Sequence, residues 1–349
     1  MERILNVALV GYGFVGKVFH ASLIANTPGL RLHSVVSSDA RKVHADHADV
    51  RVVGDAKVAF ADPDIDLVVI AAPNTAHAPL AMAALAQGKH VVVDKPFMVT
   101  LEEARQVVAH AARAQRIVSV FQNRRWDADF LTVQKLIAQN ALGEVAEFHS
   151  HFDRYRPVVA DRWRERDQPG SGVWYDLGPH LLDQALQLFG MPEAISADIA
   201  LQREGAQTAD YFHVLLSYPK LRVMLHAGAL VAAHGLRFAV HGTRGSYLKH
   251  GMDPQEQALR DGQVPGQAGW GKDPRPGTLY SGTQDEARPE AVESVPGDYL
   301  RYYALLRDAI SQDNTPPVTT AQALQVMAML EWGIRSSAER REIACTPIE

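Results

Sequence analysis

An apolar run that stops at a glycine-rich turn constrains this chain more than any other feature in it. Ile4-Leu5-Asn6-Val7-Ala8-Leu9-Val10 reads as a strand, Gly11-Tyr12-Gly13-Phe14-Val15-Gly16 as a tight turn, and the following residues as a helix. In such a strand–turn–helix unit Gly11 permits the sharp turn, Gly13 lets a phosphate approach the backbone, and Gly16 lets the helix pack close. Phosphates then meet the N–H groups at the helix start, so Gly11, Gly13, Phe14, Val15 and Gly16 form a candidate dinucleotide cradle.

The residues up to 122 continue in the same grammar. Val7–Val10, Leu32–Val36, Leu67–Ala71, Val91–Val93 and Ile117–Val120 are short Val/Ile-rich runs, as expected of parallel strands buried on both faces. Between them, Pro79–Gln87 and Leu101–Ala114 are spaced as helices. Gly88 is placed as a C-cap, and Thr100 with Glu103 as a capping box. This alternation predicts an α/β fold whose N-terminal domain, residues 1–122, is a doubly wound parallel sheet of Rossmann type, with its ligand at the carboxyl ends of the strands.

Beyond residue 122 the pattern changes. Helices are expected over Asp127–Gln139 and Trp174–Phe189. Phe212–Tyr218, Arg222–Leu230, Arg237–His241 and Ser246–Lys249 alternate like strands and are separated by turns. Residues 123–349 therefore read as a second α/β domain with an open, mostly antiparallel sheet. Met252–Gly297, rich in Gly, Pro and charge, reads as a long surface loop, with a lid as the alternative. Thr320–Ser337 is a final helix that can pack back on the first domain.

Composition removes several function classes. The chain has 349 residues, 47% hydrophobic and 21% charged, with a net charge of −5 that argues against a nucleic-acid or anionic-membrane surface. Cys345 is the single cysteine, and no Cys/His spacing resembles a zinc site, so no metal is expected. Met1-Glu2-Arg3 runs straight into a strand without a signal-peptide core, and no apolar run approaches a membrane span. A cytoplasmic protein is the expectation.

The end of the second strand speaks to which dinucleotide. An Asp or Glu there accepts from the ribose 2′-hydroxyl of NAD and repels a 2′-phosphate. Here the strand ends in Ser37-Ser38, followed by Asp39, Arg41 and Lys42. Hydroxyl and basic groups favour NADP(H), while NAD(H) stays open because a shift of two residues makes Asp39 the ribose acceptor. After the next strand, Ala72, Pro73 and Asn74 are candidates for the cofactor wall. His77 either joins them or begins a helix.

Two further elements carry acid–base chemistry. Lys95, in Asp94-Lys95-Pro96, emerges where a buried strand ends, at the ligand edge of the sheet. An ammonium there can steady the oxygen of an alcohol or ketone. Asp176 and His180, in Asp176-Leu177-Gly178-Pro179-His180, lie one helical turn apart on one face after Gly170-Ser171-Gly172. An imidazole with an ordinary pKa of about 6.5 can take a hydroxyl proton as hydride leaves the same carbon.

Taken together, Gly11-Tyr12-Gly13, Asp94-Lys95-Pro96 and Asp176-x-Gly178-x-His180 resemble the glucose–fructose oxidoreductase/inositol dehydrogenase (Gfo/Idh/MocA) family, with Asp-Lys-Pro where that family usually has Glu-Lys-Pro. Val18-Phe19-His20, Asn123-Arg124-Arg125-Trp126-Asp127, Tyr155-Arg156-Pro157 and Arg162-Trp163-Arg164-Glu165 narrow the likeness to the branch containing bacterial NADP-dependent scyllo-inositol dehydrogenase. The resemblance implies a catalytic Lys95, Asp176 and His180, with Trp163 and Arg164 toward the cofactor. Asp94 would adjoin the cofactor, and Asn123 and Arg124 the substrate. It further implies a homodimer or homotetramer through the open sheet and a polyol, cyclitol or sugar substrate. A non-catalytic dinucleotide sensor and a reductase of another carbonyl or imine are the rival functions.

Overall fold

The computed structural model describes residues 3–348 except 234, 284 and 285; the side chains of Trp163 and Thr283 also lie outside the described residues. The chain forms two compact units. The first comprises the chain up to Asn123 together with Gln255–Trp270 and Asp298–Leu324, and the second comprises Arg124–Pro254, Gly271–Gly297 and the chain from Gln325.

In the first unit, strands β1 (Leu5–Val10), β2 (Leu30–Val36), β3 (Arg51–Val53), β4 (Leu67–Ile70), β5 (His90–Val93) and β6 (Val118–Val120) form one parallel sheet in the order β3-β2-β1-β4-β5-β6. That is the Rossmann order, with its switch point between β1 and β4. Leu9, Val35, Val68, Val69, Val91 and Val92 have no exposed surface, which is why these strands read as continuous apolar runs. The helix Leu101–Ala114 begins at the expected capping box: Thr100 Oγ1 accepts from Glu103 N at 3.1 Å and Glu103 Oε2 from Thr100 N at 3.2 Å. Gly88, at φ +70°, follows the helix His77–Ala86, its N–H donating to Leu85 O.

The second unit is built on a sheet of β7 (Val145–His151), β8 (Ala194–Ala200), β9 (Tyr211–Ser217), β10 (Arg222–Gly228), β11 (Leu236–Gly242), β12 (Gly245–His250), β13 (Gly277–Thr283), β14 (Glu286–Val292) and β15 (Ile343–Ala344). The order is β14-β13-β12-β11-β7-β10-β9-β8-β15, antiparallel except for the parallel pair β7–β10. Alternate residues Phe148, Phe212, Val214, Val223, Leu225, Phe238 and Val240 are fully buried. The helix Gly172–Phe189 packs on β9 and β10, where the Trp174 ring meets Phe212 edge-on at 4.9 Å.

Met252–Gly297, expected as a loop, holds a helix (Gln255–Arg260) and the hairpin β13–β14. The alternation is missing from its sequence because β14 is an edge strand exposed along nearly its whole length. Its Glu, Arg and Pro289 protect that edge, and Pro has no N–H to give a further strand.

Candidate active site

Register brings the loops after β1 and β4 side by side. Val10 pairs with Ile70, so Gly11 lies against Ala71, and a Cβ on Gly11 (φ +95°) would stand 2.5 Å from the Ala71 carbonyl oxygen. A Cβ on Gly16 would meet Gly11 O at 2.2 Å. Gly13 differs: nothing lies within 4 Å of where its Cβ would point. Two glycines are thus required by packing, while the third keeps an approach to the backbone clear. Gly16–Ala21 form a π-helical turn that continues as Ser22–Ala25. Open space over Gly13 at this helix start fits the pyrophosphate of a dinucleotide. Phe14 is 45% exposed, with the Arg260 guanidinium over its ring at 4.5 Å, and Val15 is half-buried.

At the end of β2, Ser37 and Ser38 precede an exposed Arg41. Asp39 caps the short helix Ala40–His44, its Oδ1 accepting from Arg41 N at 3.1 Å and Lys42 N at 3.3 Å. The carboxylate that left the dinucleotide open in the sequence has a local structural task. Lys42 Nζ donates to Tyr12 O at 3.0 Å, and Tyr12 Oη to Asp46 at 3.0 Å, bracing the glycine turn. Burial, then the Asp46 hydrogen bond, push the Tyr12 hydroxyl well above its ordinary range.

Ala72, Pro73 and Asn74 follow β4, with Asn74 buried in a 3₁₀ turn. His77 opens the next helix and is 1% exposed. Its Nδ1 lies 3.0 Å from Pro96 O and its Nε2 3.0 Å from Ala72 O. It is a strut between the two strand-end turns rather than a group presented to a ligand. The strut shapes the turn that carries Lys95, whose peptide bond to Pro96 is cis. Lys95 is half-buried just past β5, and Asp94 Oδ1 accepts its backbone N–H at 2.9 Å.

Behind Asp94 lies a buried histidine–tyrosine pair. His20 is fully buried, 4.0 Å from Asp94 Oδ1 through Nε2 and 2.6 Å from the Tyr303 hydroxyl through Nδ1. Burial lowers its imidazole to about 4 against the opposing pull of Asp94, so it is neutral at pH 7. Position 303 is distant in sequence, and only Val18-Phe19-His20 in the family likeness touches this group.

In the second unit, Gly170 (φ +76°) and Gly172 (φ +86°) turn the chain into the helix that carries Asp176 and His180. Gly178 exists for Trp174: a Cβ there would stand 2.8 Å from the indole, which is held by Nε1 donating to Leu330 O at 3.1 Å. His180 is 5% exposed. Asp176 faces two arginines, Arg154 Nη1 at 3.4 Å and Arg164 Nε at 3.7 Å.

Arg124 stacks over Phe152 at 4.8 Å, with Arg154 over the same ring at 5.0 Å, and pairs with Asp127 at 3.2 Å. Arg125 makes a buried bidentate pair with Asp183 at 2.8 and 2.7 Å, a clamp within the unit. Asn123 is buried at the last position of the first unit's leading segment. Trp163 falls in a 3₁₀ turn, Trp163–Glu165, with its side chain outside the described residues.

The comparisons agree with the fold. Residues 5–122 match the Gfo/Idh/MocA model described as an oxidoreductase family with an NAD-binding Rossmann fold, and residues 134–345 match its C-terminal alpha/beta domain. The uncharacterized oxidoreductase YdgJ of Escherichia coli (strain K12) is 54% identical over 97% of this chain and 98% of its own length. The NADP(+)-dependent scyllo-inositol 2-dehydrogenase IolW of Bacillus subtilis (strain 168) is 38% identical over 97% of this chain and 95% of its own. Among solved structures, YPO2259 from Yersinia pestis superposes with a TM-score of 0.96 at 50% identity, covering 100% of this chain and 99% of that one.

Proposed function

The chain belongs to the Gfo/Idh/MocA family of NAD(P)-dependent oxidoreductases, and on that premise we propose that it is an NADP(H)-preferring dehydrogenase of a cyclitol, polyol or sugar, scyllo-inositol being the first substrate to try. The observation that carries the reading is the pairing, within one Rossmann sheet, of an open approach over Gly13 with a lysine just past β5. IolW, alike over nearly the whole chain, supports the substrate class. The NADP preference is supported by the NADP(+)-dependent IolW and by Ser37, Ser38 and the exposed Arg41 at the end of β2, beside which Asp39 caps the next helix with Arg41 Nε 3.9 Å from its Oδ1.

NADP(H), when bound, supplies the hydride-exchanging nicotinamide. Gly11, Gly13 and Gly16, with Phe14 and Val15, hold its pyrophosphate, and Ala72, Pro73, Asn74 and Asp94 line its path. Lys95 Nζ donates to the substrate oxygen and stabilises the negative charge that develops there. A ring nitrogen of His180 accepts the hydroxyl proton in oxidation and returns it in reduction. Asp176, its charge offset by Arg154 and Arg164, stays an acceptor that orients the substrate hydroxyl. Asn123 and Arg124 contribute to substrate binding, and Trp163 and Arg164 to cofactor contact.

No helix among the described residues is long and apolar enough to cross a membrane. A cytoplasmic homodimer or homotetramer completes the proposal.

The test is initial-rate turnover with NADP+ and NAD+ over a panel of cyclitols and sugars, with Lys95→Ala in parallel. Turnover favouring NADP+ that disappears in the variant while NADPH still binds supports the reading. Absence of turnover across the panel with NADPH bound refutes the substrate class and favours the sensor.

A further inference from the structure

One face of the second unit's sheet carries a band of histidines that the proposed reaction leaves unused. Strand β7 buries Phe148 and Ser150 and leaves Glu147, His149 and His151 on the other side. The parallel register of β10 sets His226 beside His151, and the antiparallel register of β9 sets His213 beside His226. The rings of His151 and His226 are 5.2 Å apart between centroids, those of His213 and His226 5.9 Å. Asp153 closes the group from just beyond β7. Its Oδ1 lies 2.7 Å from His226 Nδ1 and accepts Gly228 N at 3.1 Å, and its Oδ2 lies 3.3 Å from His151 Nδ1.

We propose that His151, Asp153 and His226 form a binding site for a divalent transition-metal ion, zinc by preference. The donor set fits: two imidazoles and one carboxylate are a three-ligand combination that zinc takes while keeping a fourth position open. The spacing fits as well. At metal–ligand bonds of about 2.0–2.1 Å, tetrahedral ligand atoms stand about 3.3 Å apart. One ligand atom from each of the three lies within 4.8 Å of the others, and Asp153 meets His151 Nδ1 through Oδ2 at 3.3 Å and His226 Nδ1 through Oδ1 at 2.7 Å, so the ligand atoms need close by no more than about 1.5 Å to share one ion. Burial favours pre-organisation: the side chains of His151, Asp153 and His226 are 22%, 8% and 17% exposed, with His151 and His226 on paired strands and Asp153 held by a backbone N–H. A neighbouring triad, Glu147, His149 and His241, meets the same distance test, but the Glu147 side chain is 52% exposed and the group is the looser of the two. Sequence spacing could not find the site, since His226 joins the others only through the β7–β10 pairing.

The test uses full-length, tag-free protein stripped of metal and titrated with zinc chloride by calorimetry, with cobalt(II) substitution read by its visible d–d absorption. One equivalent of zinc should bind, cobalt should give a tetrahedral-type spectrum, and His226→Ala and Asp153→Asn should each weaken binding at least about 100-fold, beyond the 10–100-fold typical of losing an outer-shell partner. Asp153→Asn is nearly isosteric and guards against a misfolded His226→Ala, with melting curves run on both. His241→Ala should bind zinc like the parent. No saturable binding in the parent, or affinity unchanged in the folded Asp153→Asn variant, overturns the proposal; so does affinity lost equally in His241→Ala. Zinc binding is read without turnover, so its outcome is separate from that of the dehydrogenase assay.

Discussion

The three glycines of the first turn should respond differently to one added methyl group. Gly11 has φ +95°, and its Cβ would stand 2.5 Å from Ala71 O, whose own N–H donates to Val10 O at 2.8 Å. The left-handed backbone costs an L-residue about 1–2 kcal/mol, and overpacking against fixed atoms about 1–3 kcal/mol. Gly11→Ala should therefore destabilise the ligand-free protein by roughly 3 kcal/mol, or about 6–12 °C for a unit of this size. Gly13 lies outside the left-handed region and its Cβ would meet nothing within 4 Å. Gly13→Ala should melt like the parent or slightly higher, by the ~0.4–1 kcal/mol that a less flexible unfolded chain contributes.

The ligand reverses that order. A methyl on Gly13 occupies the space proposed for the pyrophosphate, and a 10- to 100-fold weaker NADPH affinity, about 1.4–2.7 kcal/mol, is expected. With NADPH at 100 times the parent Kd, ligand-induced stabilisation is about 2.7 kcal/mol in the parent and falls to about 0.4–1.4 kcal/mol in Gly13→Ala. Thermal melts with and without NADPH, backed by fluorescence titration, measure both numbers. Gly13→Ala binding NADPH within twofold of the parent would refute the placement of the phosphates, and Gly11→Ala melting like the parent would refute the packing argument.

Other groups give separate expectations. Arg41→Ala should lower kcat/KM for NADP+ about tenfold, about 1.4 kcal/mol of lost charge-assisted bonding, and leave NAD+ use unchanged; equal losses with both cofactors would remove Arg41 from the 2′-phosphate. His180→Ala should lower kcat by about 10²–10⁴ with NADPH affinity kept, as loss of a general base does, and an unchanged kcat would exclude that role. Arg125→Ala strands Asp183 in the interior and should cost about 3–5 kcal/mol in urea unfolding, more than Asp183 and Arg125 replaced together. His20 is neutral when folded, with its imidazole at about 4, whereas the unfolded chain protonates near 6.5. Its stabilising contribution is therefore full above pH 6.5 and lost as pH falls to about 4. That gap corresponds to roughly 3 kcal/mol in full, of which about 2.5 kcal/mol falls between pH 7.5 and 4.5, and the stability difference between parent and His20→Asn should narrow by that amount. A pH-independent difference would mean that His20 titrates normally.

What could be read in advance follows from the range of the interactions involved. Strands buried on both faces, a capped helix at Thr100 and a strand–glycine–helix turn are written in neighbouring residues. The first unit's order of elements, the glycine turn at Gly11–Gly16, Lys95 at a strand end and the one-turn spacing of Asp176 and His180 were therefore legible. The edge hairpin β13–β14 was not, because an exposed edge is kept polar and loses the alternation that marks a strand. His77 as a strut, Asp39 as a cap, Arg154 on Asp176 and His20 on Tyr303 all depend on what a side chain meets after folding. The His151–Asp153–His226 group depends on strand register, a one-residue slip of which would send each side chain to the opposite face. Local pattern thus determined the elements and the residue types fit for chemistry. Tertiary pairing alone decided which of them became supports, because burial and partner geometry are set by residues far away along the chain.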